Sequence, residues 1–421
     1  MDNLALNQKK ANFLSICLFF EWIVTIIVVL NNFSQIIILS SWILLGIISL
    51  ITTSNKVYLK EKNNILKLWV IFIIFGLFTT TLSKLFSLFS NTSIVSYIEV
   101  FIIPGAITLY VASKCGYKYF FRIFEYFMLL CCILGIYEFI TKNQFYKFLI
   151  ISENAQYNFL NYGSILNPNY RLTLFFYHPI YYSIFLDIFI IGLIFIPLKN
   201  KLLQFLGLVL GIINLILTQS RTGWIALIVI GFIYIISRRK IRITKKNLFG
   251  MIALLLLGTI IVLVIKASSP EFFNYLGEII NTRISEVNQD TLSKGSGARL
   301  ENLQLIKFMP NVYYDIFGGG YGYSNYLLFQ HPASGGWTKA IDNQYLTNFL
   351  NFGLIGIVLN LILLVELIYA SLKDKKNQFL YLCLLVVFIS GFFIDFLGQN
   401  SITYLLFILF GMLRQRRVKE D

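Results

Sequence analysis

The sequence predicts an all-α polytopic membrane protein of about twelve transmembrane helices, and three observations carry that prediction. Its 421 residues are 57% hydrophobic and 13% charged, where a soluble domain carries about 25% charged residues. The mean hydropathy is +0.74. The apolar residues fall into runs near the roughly 20 residues that take a helix across a bilayer, and basic residues gather in alternate gaps between those runs.

In chain order the spans are expected at 13–31, 33–54, 65–82, 93–113, 118–140, 179–197, 201–218, 222–237, 247–266, 344–370, 377–394 and 397–413. The second and the last follow their predecessors so closely that tight hairpins are implied. Lys9 and Lys10 precede the first run and no small-residue cleavage site follows it, so this span is expected to act as its own signal anchor. The net charge is +15. In a soluble chain that excess suggests nucleic acid; here the charges punctuate the spans, topology accounts for them, and no nucleic-acid partner is expected. With the N-terminus in the cytoplasm, 24 of the 35 Lys and Arg fall on cytoplasmic segments, including RRKIRITKK at 238–246 and RQRRVK at 414–419, as the positive-inside rule requires. An even number of spans leaves both termini cytoplasmic, and residues 1–421 read as a single integral membrane domain. The five cysteines lie in spans or in a short turn without zinc spacing, and the chain has two histidines, so neither a metal nor another cofactor is expected.

Two outward segments are long, about 141–178 and 267–343, and connections beyond about 15 residues are usually functional or disordered. The second has helical spacing twice. Phe272, Leu276, Ile280 and Ile284 mark one amphipathic helix over 271–287, and Leu300, Leu303, Ile306 and Met309 mark another over 299–309. Such helices suit either the membrane surface or packing within the loop.

Four arginines lie on the outer side: Arg171, Arg221, Arg283 and Arg299. Arg221 sits in LTQSRTGW (217–224), a hairpin too short to leave the membrane boundary. An arginine at a helix centre in the bilayer costs about 2.5–3.5 kcal/mol, less near the interface, so either lipid phosphates or an anionic substrate group should compensate it. Arg171 opens RLTLFFYHP (171–179), where His178 precedes a proline suited to the first position of a helix. His178 is read either as a hydrogen-bonded interfacial residue or as a substrate contact. Arg299 lies in KGSGARLEN (294–302), whose glycines permit close backbone approach. FGGGYGY (317–323) is glycine-rich but lacks the lysine of a P-loop. Asp342 and Asn343 stand at the start of a span, where Asp is a good N-cap, and His331 is a second candidate for base chemistry. Guanidinium groups suit phosphate or pyrophosphate and stabilise its developing charge without a metal. Asp342 or a histidine supplies a base for an attacking hydroxyl.

Taken in order, RLTLFFYHP (171–179), LTQSRTGW (217–224), GSGARLEN (295–302), FGGGYGY (317–323) and DNQYLTNFLNFGLIG (342–356) resemble the O-antigen ligase and polymerase superfamily over roughly 165–360. The resemblance implies a metal-independent, inverting glycosyltransferase in a bacterial cytoplasmic membrane, with its site facing outward. Its donor would be an oligosaccharide on undecaprenyl pyrophosphate, and its partners the bilayer and possible chain-length regulator and flippase proteins. Pyrophosphate-binding arginines of the family map to Arg171, Arg221 and Arg299. The expected catalytic residues are Asp342, His331 and Arg221; the expected substrate contacts are Arg171, His178, Arg221, Arg299 and Asn343. Where the family often has His-Asn, this chain has Asp342-Asn343, and histidine there is typical of ligases. The expected activity is therefore polymerisation of repeat units into capsule, exopolysaccharide or O-antigen, with a ligase as the alternative. A flippase or transporter is the third reading. Glu21, Glu99, Asp187 and Glu366 lie within spans, but the matching halves of a transporter are not visible.

Overall fold

The computed structural model describes residues 2–31, 34–52, 63–85, 94–141, 144–150, 170–176, 178–237, 302–332, 341–397 and 400–413. Among these the regular structure is helical: α1 (Asp2–Leu30), α2 (Gln35–Thr52), α3 (Asn64–Leu85), α4 (Ile94–Ala112), α5 (Tyr117–Thr141), α6 (Pro179–Phe195), α7 (Lys201–Leu217), α8 (Arg221–Ser237), α9 (Val312–Phe317), α10 (Tyr323–Gln330), α11 (Gln344–Lys373), α12 (Gln378–Ser390) and α13 (Asn400–Met412). Six helices (α1 from Gln8, α2, α3, α4, α5 and α11) are long and apolar enough to cross a membrane, and α6, α7, α8, α12 and α13 are shorter apolar helices. The protein is an integral membrane protein. All eleven helices coincide with expected spans; the expected span at 247–266, the amphipathic helix at 271–287, Arg283 and Arg299 lie outside the described residues.

Local chemistry sets the helix ends. Asn200 caps α7, its Oδ1 accepting from the N–H groups of Leu202 and Leu203. Pro104 lies within α4, which carries a π-helical turn, Ile98–Ile102, just before it; proline has no N–H to continue the ordinary ladder.

Three short helices form the centre. In α6, α12 and α13 nearly every side chain is buried, which fits their lack of a polar face. Around them α2 and α8 turn apolar residues outward, among them Ile36, Leu44 and Ile51, and Ile228, Phe232 and Ile235. In a membrane protein such surfaces meet acyl chains. Trp69 of α3 stacks on Phe410 of α13 with ring centroids 4.9 Å apart, joining the ring to the centre.

The span expected to begin at 344 and run unbroken is bent. Gly353 has φ 64° and ψ −164°, a conformation essentially confined to glycine. Residues 354–373 then form the crossing helix, about 30 Å long at about 1.5 Å per residue, which matches the hydrocarbon thickness. Residues 344–352 form a separate segment. The break removes helical partners from the Leu350 and Asn351 carbonyls, which instead accept from Gly319 N–H (2.9 Å) and Gly320 N–H (2.8 Å).

The glycine-rich loop that supplies those donors lies between α3 and α11. Ser83 Oγ donates to the Gly319 carbonyl at 2.5 Å, and Tyr321 N–H donates to Thr80 Oγ1 at 3.0 Å. Ser324 N–H donates to Asn351 Oδ1 at 2.8 Å. The loop between α9 and α10 is therefore docked on α3 and α11, and its irregular backbone is satisfied by protein groups. A Cβ on Gly353 would stand 2.3 Å from the Ile316 carbonyl oxygen, and one on Gly318 2.3 Å from the Asn351 backbone.

The helix expected over 299–309 is helical in its described part but changes winding: residues 302–303 are α-helical and Gln304–Phe308 form a 3-10 turn, with Leu305 buried while Leu303 and Ile306 are exposed. The tighter 3-10 winding shifts the buried position away from the expected α-helical stripe. Leu305 joins Tyr314, Tyr323, Leu327, Leu328, Ile341, Leu346 and Leu350 in a small core of its own.

Replacing Gly353 with Ala is expected to destabilise the protein by about 3 kcal/mol or more, through a forbidden backbone conformation and a clash with backbone. Gly231, whose would-be Cβ has nothing within 4 Å, is the control: Gly231→Ala should be neutral or stabilising by up to about 1 kcal/mol. Thermal unfolding of the two detergent-solubilised variants checks the contrast.

Candidate active site

The hairpin between α7 and α8 is specified residue by residue. Thr218 Oγ1 donates back to the Leu215 carbonyl (2.7 Å) and accepts from Ser220 N–H (3.2 Å). Gln219 takes φ 52°, a left-handed conformation uncommon outside glycine, and its Nε2 donates to the Tyr170 carbonyl at 3.2 Å. Ser220 precedes α8; its carbonyl accepts from Trp224 N–H at 3.2 Å, and its Oγ accepts from Ser183 Oγ of α6 at 3.0 Å. Arg221 is thereby the first residue of α8, half-buried.

A second arginine is brought to this hairpin from elsewhere in the chain. Leu172 N–H donates to the Leu217 carbonyl at 3.1 Å, laying residues 170–172 along the turn. Half-buried Arg171 then donates from Nε to the Thr218 carbonyl (3.1 Å) and from Nη2 to the Gln219 carbonyl (3.3 Å). These carbonyls end α7, where the helix dipole is negative and favours a cation. Arg171 and Arg221 thus share one turn. An anion reaching the turn would meet the Arg221 charge together with the positive end of α8.

Two further groups hold this arrangement. Tyr170 and Tyr146 both donate to Glu138 Oε1 at the end of α5, the latter at 3.4 Å. Burial, and then the Glu138 charge, raise the Tyr170 phenol above its ordinary value, so it remains a donor and anchors the residue preceding Arg171. His178 caps α6: its Nδ1 accepts from Ile180 N–H at 3.2 Å, and Pro179 takes the first helical position. An accepting Nδ1 leaves the proton of the neutral ring on Nε2.

A small recess lies at the glycine loop. Its cavity volume is about 50 Å³ and it is lined by Phe101, Tyr321, Gly322, Ser324, Asn325, Gln344, Thr347, Asn348, Asn351, Phe352, Asp395 and Leu397. Gln344, Asn348 and Asn351 recur at helical spacing on one face of the first segment of α11. Gln344 ties three pieces of chain together. Its N–H donates to the Gly391 carbonyl (2.8 Å), its Oε1 accepts from Leu397 N–H (2.7 Å), and its Nε2 donates to Asn348 Oδ1 (2.9 Å). Thr347 Oγ1 and Asn348 Nδ2 are buried without a hydrogen-bond partner, which costs about 1–3 kcal/mol for each group left unmet.

The structure brings Arg171, His178 and Arg221 to the α7–α8 turn and the start of α6. α8 and α11 pack together and meet at a shared far end, where Gln378 Nε2 donates to Ser237 Oγ at 2.6 Å. The two helices therefore run parallel, and Arg221 lies at the same end of the bundle as Asp342 and Asn343. Asn343, not Asp342, is the N-cap of α11, its Oδ1 accepting from Tyr345 and Leu346 N–H; Asp342 is exposed beside it. His331 is exposed at the end of α10 and stacks on Phe308, with ring centroids 3.7 Å apart and planes 4° apart. Asp395 was not among the expected site residues. Its signal was an acidic side chain in the short connection between the last two spans, at a membrane boundary where carboxylates are costly. Among the described residues no cluster of three or more His, Cys, Asp or Glu is present.

Comparison with known proteins adds to this geometry. Residues 206–361 match the family described as O-antigen ligase, a stretch holding Arg221, Arg299, His331, Asp342 and Asn343. A ComP-specific O-oligosaccharyltransferase of Acinetobacter baylyi (strain ATCC 33305 / BD413 / ADP1) is 26% identical over 220 residues, covering 50% of this chain and 36% of that protein. The match thus spans about a third of that relative's length. The α7–α8 turn, the glycine loop and the first part of α11 all fall inside the stretch that is similar to the O-antigen ligase family.

Proposed function

We propose that this protein transfers a glycan from a polyprenyl-pyrophosphate carrier to a hydroxyl acceptor at the outer face of a bacterial cytoplasmic membrane. The observation that carries the reading is the pair of half-buried guanidinium groups on one turn, with Arg171 seated on the carbonyls of Thr218 and Gln219 immediately before Arg221. In the step proposed, the acceptor oxygen forms a bond to the anomeric carbon from the face opposite the carrier. The bond from that carbon to pyrophosphate breaks, and its electron pair leaves with the pyrophosphate. Arg221 and Arg171 balance the charge that develops there, joined by Arg299. The acceptor proton passes to Asp342, whose carboxylate is not needed for capping, or to His331. The lipid carrier explains why the arginines stand at a membrane boundary.

The name of the Acinetobacter relative and the family description favour delivery of a glycan to an acceptor, and this is the main reading of the acceptor. The polymerase expected from the sequence remains a second reading, favoured by Asp342 where ligases typically have histidine.

Two experiments test these proposals. Arg221→Ala should lower glycan transfer in membrane vesicles about 100-fold or more, equivalent to about 3 kcal/mol of lost charge stabilisation, while the protein still inserts. Arg171→Lys keeps the charge but loses the fork across Thr218 and Gln219, and should lower transfer about tenfold; full transfer by either variant would remove the pyrophosphate assignment. Deleting the gene should leave finished polymer on its lipid carrier, seen by electrophoresis of extracted carrier lipids. Accumulation of single repeat units would instead select the polymerase reading.

A further inference from the structure

Arg171 stands on irregular chain; a short 3-10 turn begins only at Leu174. No helical ladder places its backbone, yet its guanidinium holds two neighbouring carbonyls. The chain is fixed from both sides. The preceding residue, Tyr170, is buried and donates through its phenol to Glu138 Oε1 in the last turn of α5. The Tyr170 carbonyl accepts from Gln219 Nε2 at 3.2 Å, and Gln219 presents its own carbonyl to Arg171 Nη2 at 3.3 Å. Glu138, Tyr170 and Gln219 are thus linked in series, and the series closes on Arg171. We infer that these three are positioning residues, a clasp that holds the Arg171 guanidinium where it meets the carrier's pyrophosphate, resting on the transfer reading proposed above for that anion.

Two observations separate a clasp from ordinary packing. The first is backbone strain. Among the described residues two that are not glycine have positive φ, Gln219 at 52° and Leu174 at 47°. One belongs to the clasp, and the other is a buried residue three positions after Arg171. Left-handed backbone outside glycine is costly and gathers at ligand clamps; here it gathers on the two pieces of chain that carry Arg171 and Arg221. A right-handed Gln219 would redirect the carbonyl that it presents to Arg171. The second is the use of a buried carboxylate. Glu138 Oε1 accepts from both Tyr170 and Tyr146, and bonds to a carboxylate are stronger than bonds to a neutral oxygen. Burial, and then the Glu138 charge, raise both phenols above their ordinary values, so both stay donors. Apolar side chains would fill the same space with less desolvation. The carboxylate gives orientation instead, which the placement of a reacting charge requires.

The test uses the full chain in lipid nanodiscs. Tyr170→Phe deletes the phenol donor. Gln219→Asn keeps a residue tolerant of left-handed backbone, with a side chain one methylene too short for the Tyr170 carbonyl. Each should lower kcat/KM for the lipid-linked donor about tenfold. Added to Arg171→Ala, Tyr170→Phe should lower it by less than about twofold more, because the clasp then has nothing to hold. Glu138→Gln keeps an oxygen for the phenols and should recover most of the transfer that Glu138→Ala loses. Tyr182→Phe is the control, deleting a buried phenol that donates to Asn214 Oδ1 at 3.0 Å; its kcat/KM should stay within about twofold. A second readout needs no turnover. Seated Arg171 should react slowly with phenylglyoxal, and Tyr170→Phe and Gln219→Asn should each speed its modification at least about threefold, read by peptide mass spectrometry. Unchanged modification in both variants overturns the clasp. Full additivity of Tyr170→Phe with Arg171→Ala does so as well, by revealing a structural role. If Glu138→Ala does not insert, Tyr170→Phe and Gln219→Asn decide alone. Faster modification in a protein without transfer activity would keep the clasp and sink the transfer reading.

Discussion

Two backbone hydrogen bonds organise the end of this molecule that holds the glycine loop and the start of α11. The carbonyls of Leu350 and Asn351, released where α11 breaks at Gly353, accept from Gly319 and Gly320. A broken helix within a membrane protein must find other partners for its freed groups, and the glycine loop supplies them. The exchange works in both directions. The loop gains a place between α3 and α11, and α11 gains a bend that turns its amide-bearing first segment away from the crossing helix. Side chains are excluded at Gly318 and Gly353 because the two backbones lie in contact. The recess follows from this docking, since its walls are the loop, the bent segment and the connection that Gln344 holds.

The sequence discloses these features unevenly, for physical reasons. Spans are legible because the apolar length needed to cross a bilayer is a local property, and α2, α5 and α7 lie where their runs place them. The arginine turn is legible because a charge in a short hairpin between apolar helices is costly and so conspicuous. The bend at Gly353 is not legible, because LNFGLIG reads as continuous helix and the conformation of its glycine depends on residues 30 and more positions upstream. The recess is hidden for the same reason: its lining comes from α4, the glycine loop, α11 and the 391–397 connection, which no window along the chain unites. His178 and Asn343 were singled out as substrate contacts, yet each also has a capping role that only coordinates reveal.

The family match over residues 206–361 and the distant oligosaccharyltransferase relative agree with the resemblance carried by the motifs. Both leave the acceptor to experiment. The match includes Arg221, the glycine loop and the first part of α11, whereas Arg171, His178 and Asp395 are outside it. Those three are tied to the matched region by contacts: Arg171 through the α7–α8 turn, His178 through α6, and Asp395 through the recess.

The shortness of the central helices has a consequence for a lipid-borne substrate. α12 and α13, each 13 residues long, rise about 20 Å, less than the roughly 30 Å of a hydrocarbon core. At the centre of the bundle the crossing is therefore completed by irregular chain, the 391–397 connection, at the end where Arg221 and the glycine loop lie. On the proposed reading, a carrier can bring its head group to this non-helical end while its tail stays among the acyl chains. Each methylene not drawn out of the bilayer avoids about 0.8 kcal/mol, so a site at the ends of the central helices lowers the work of presenting a very hydrophobic carrier.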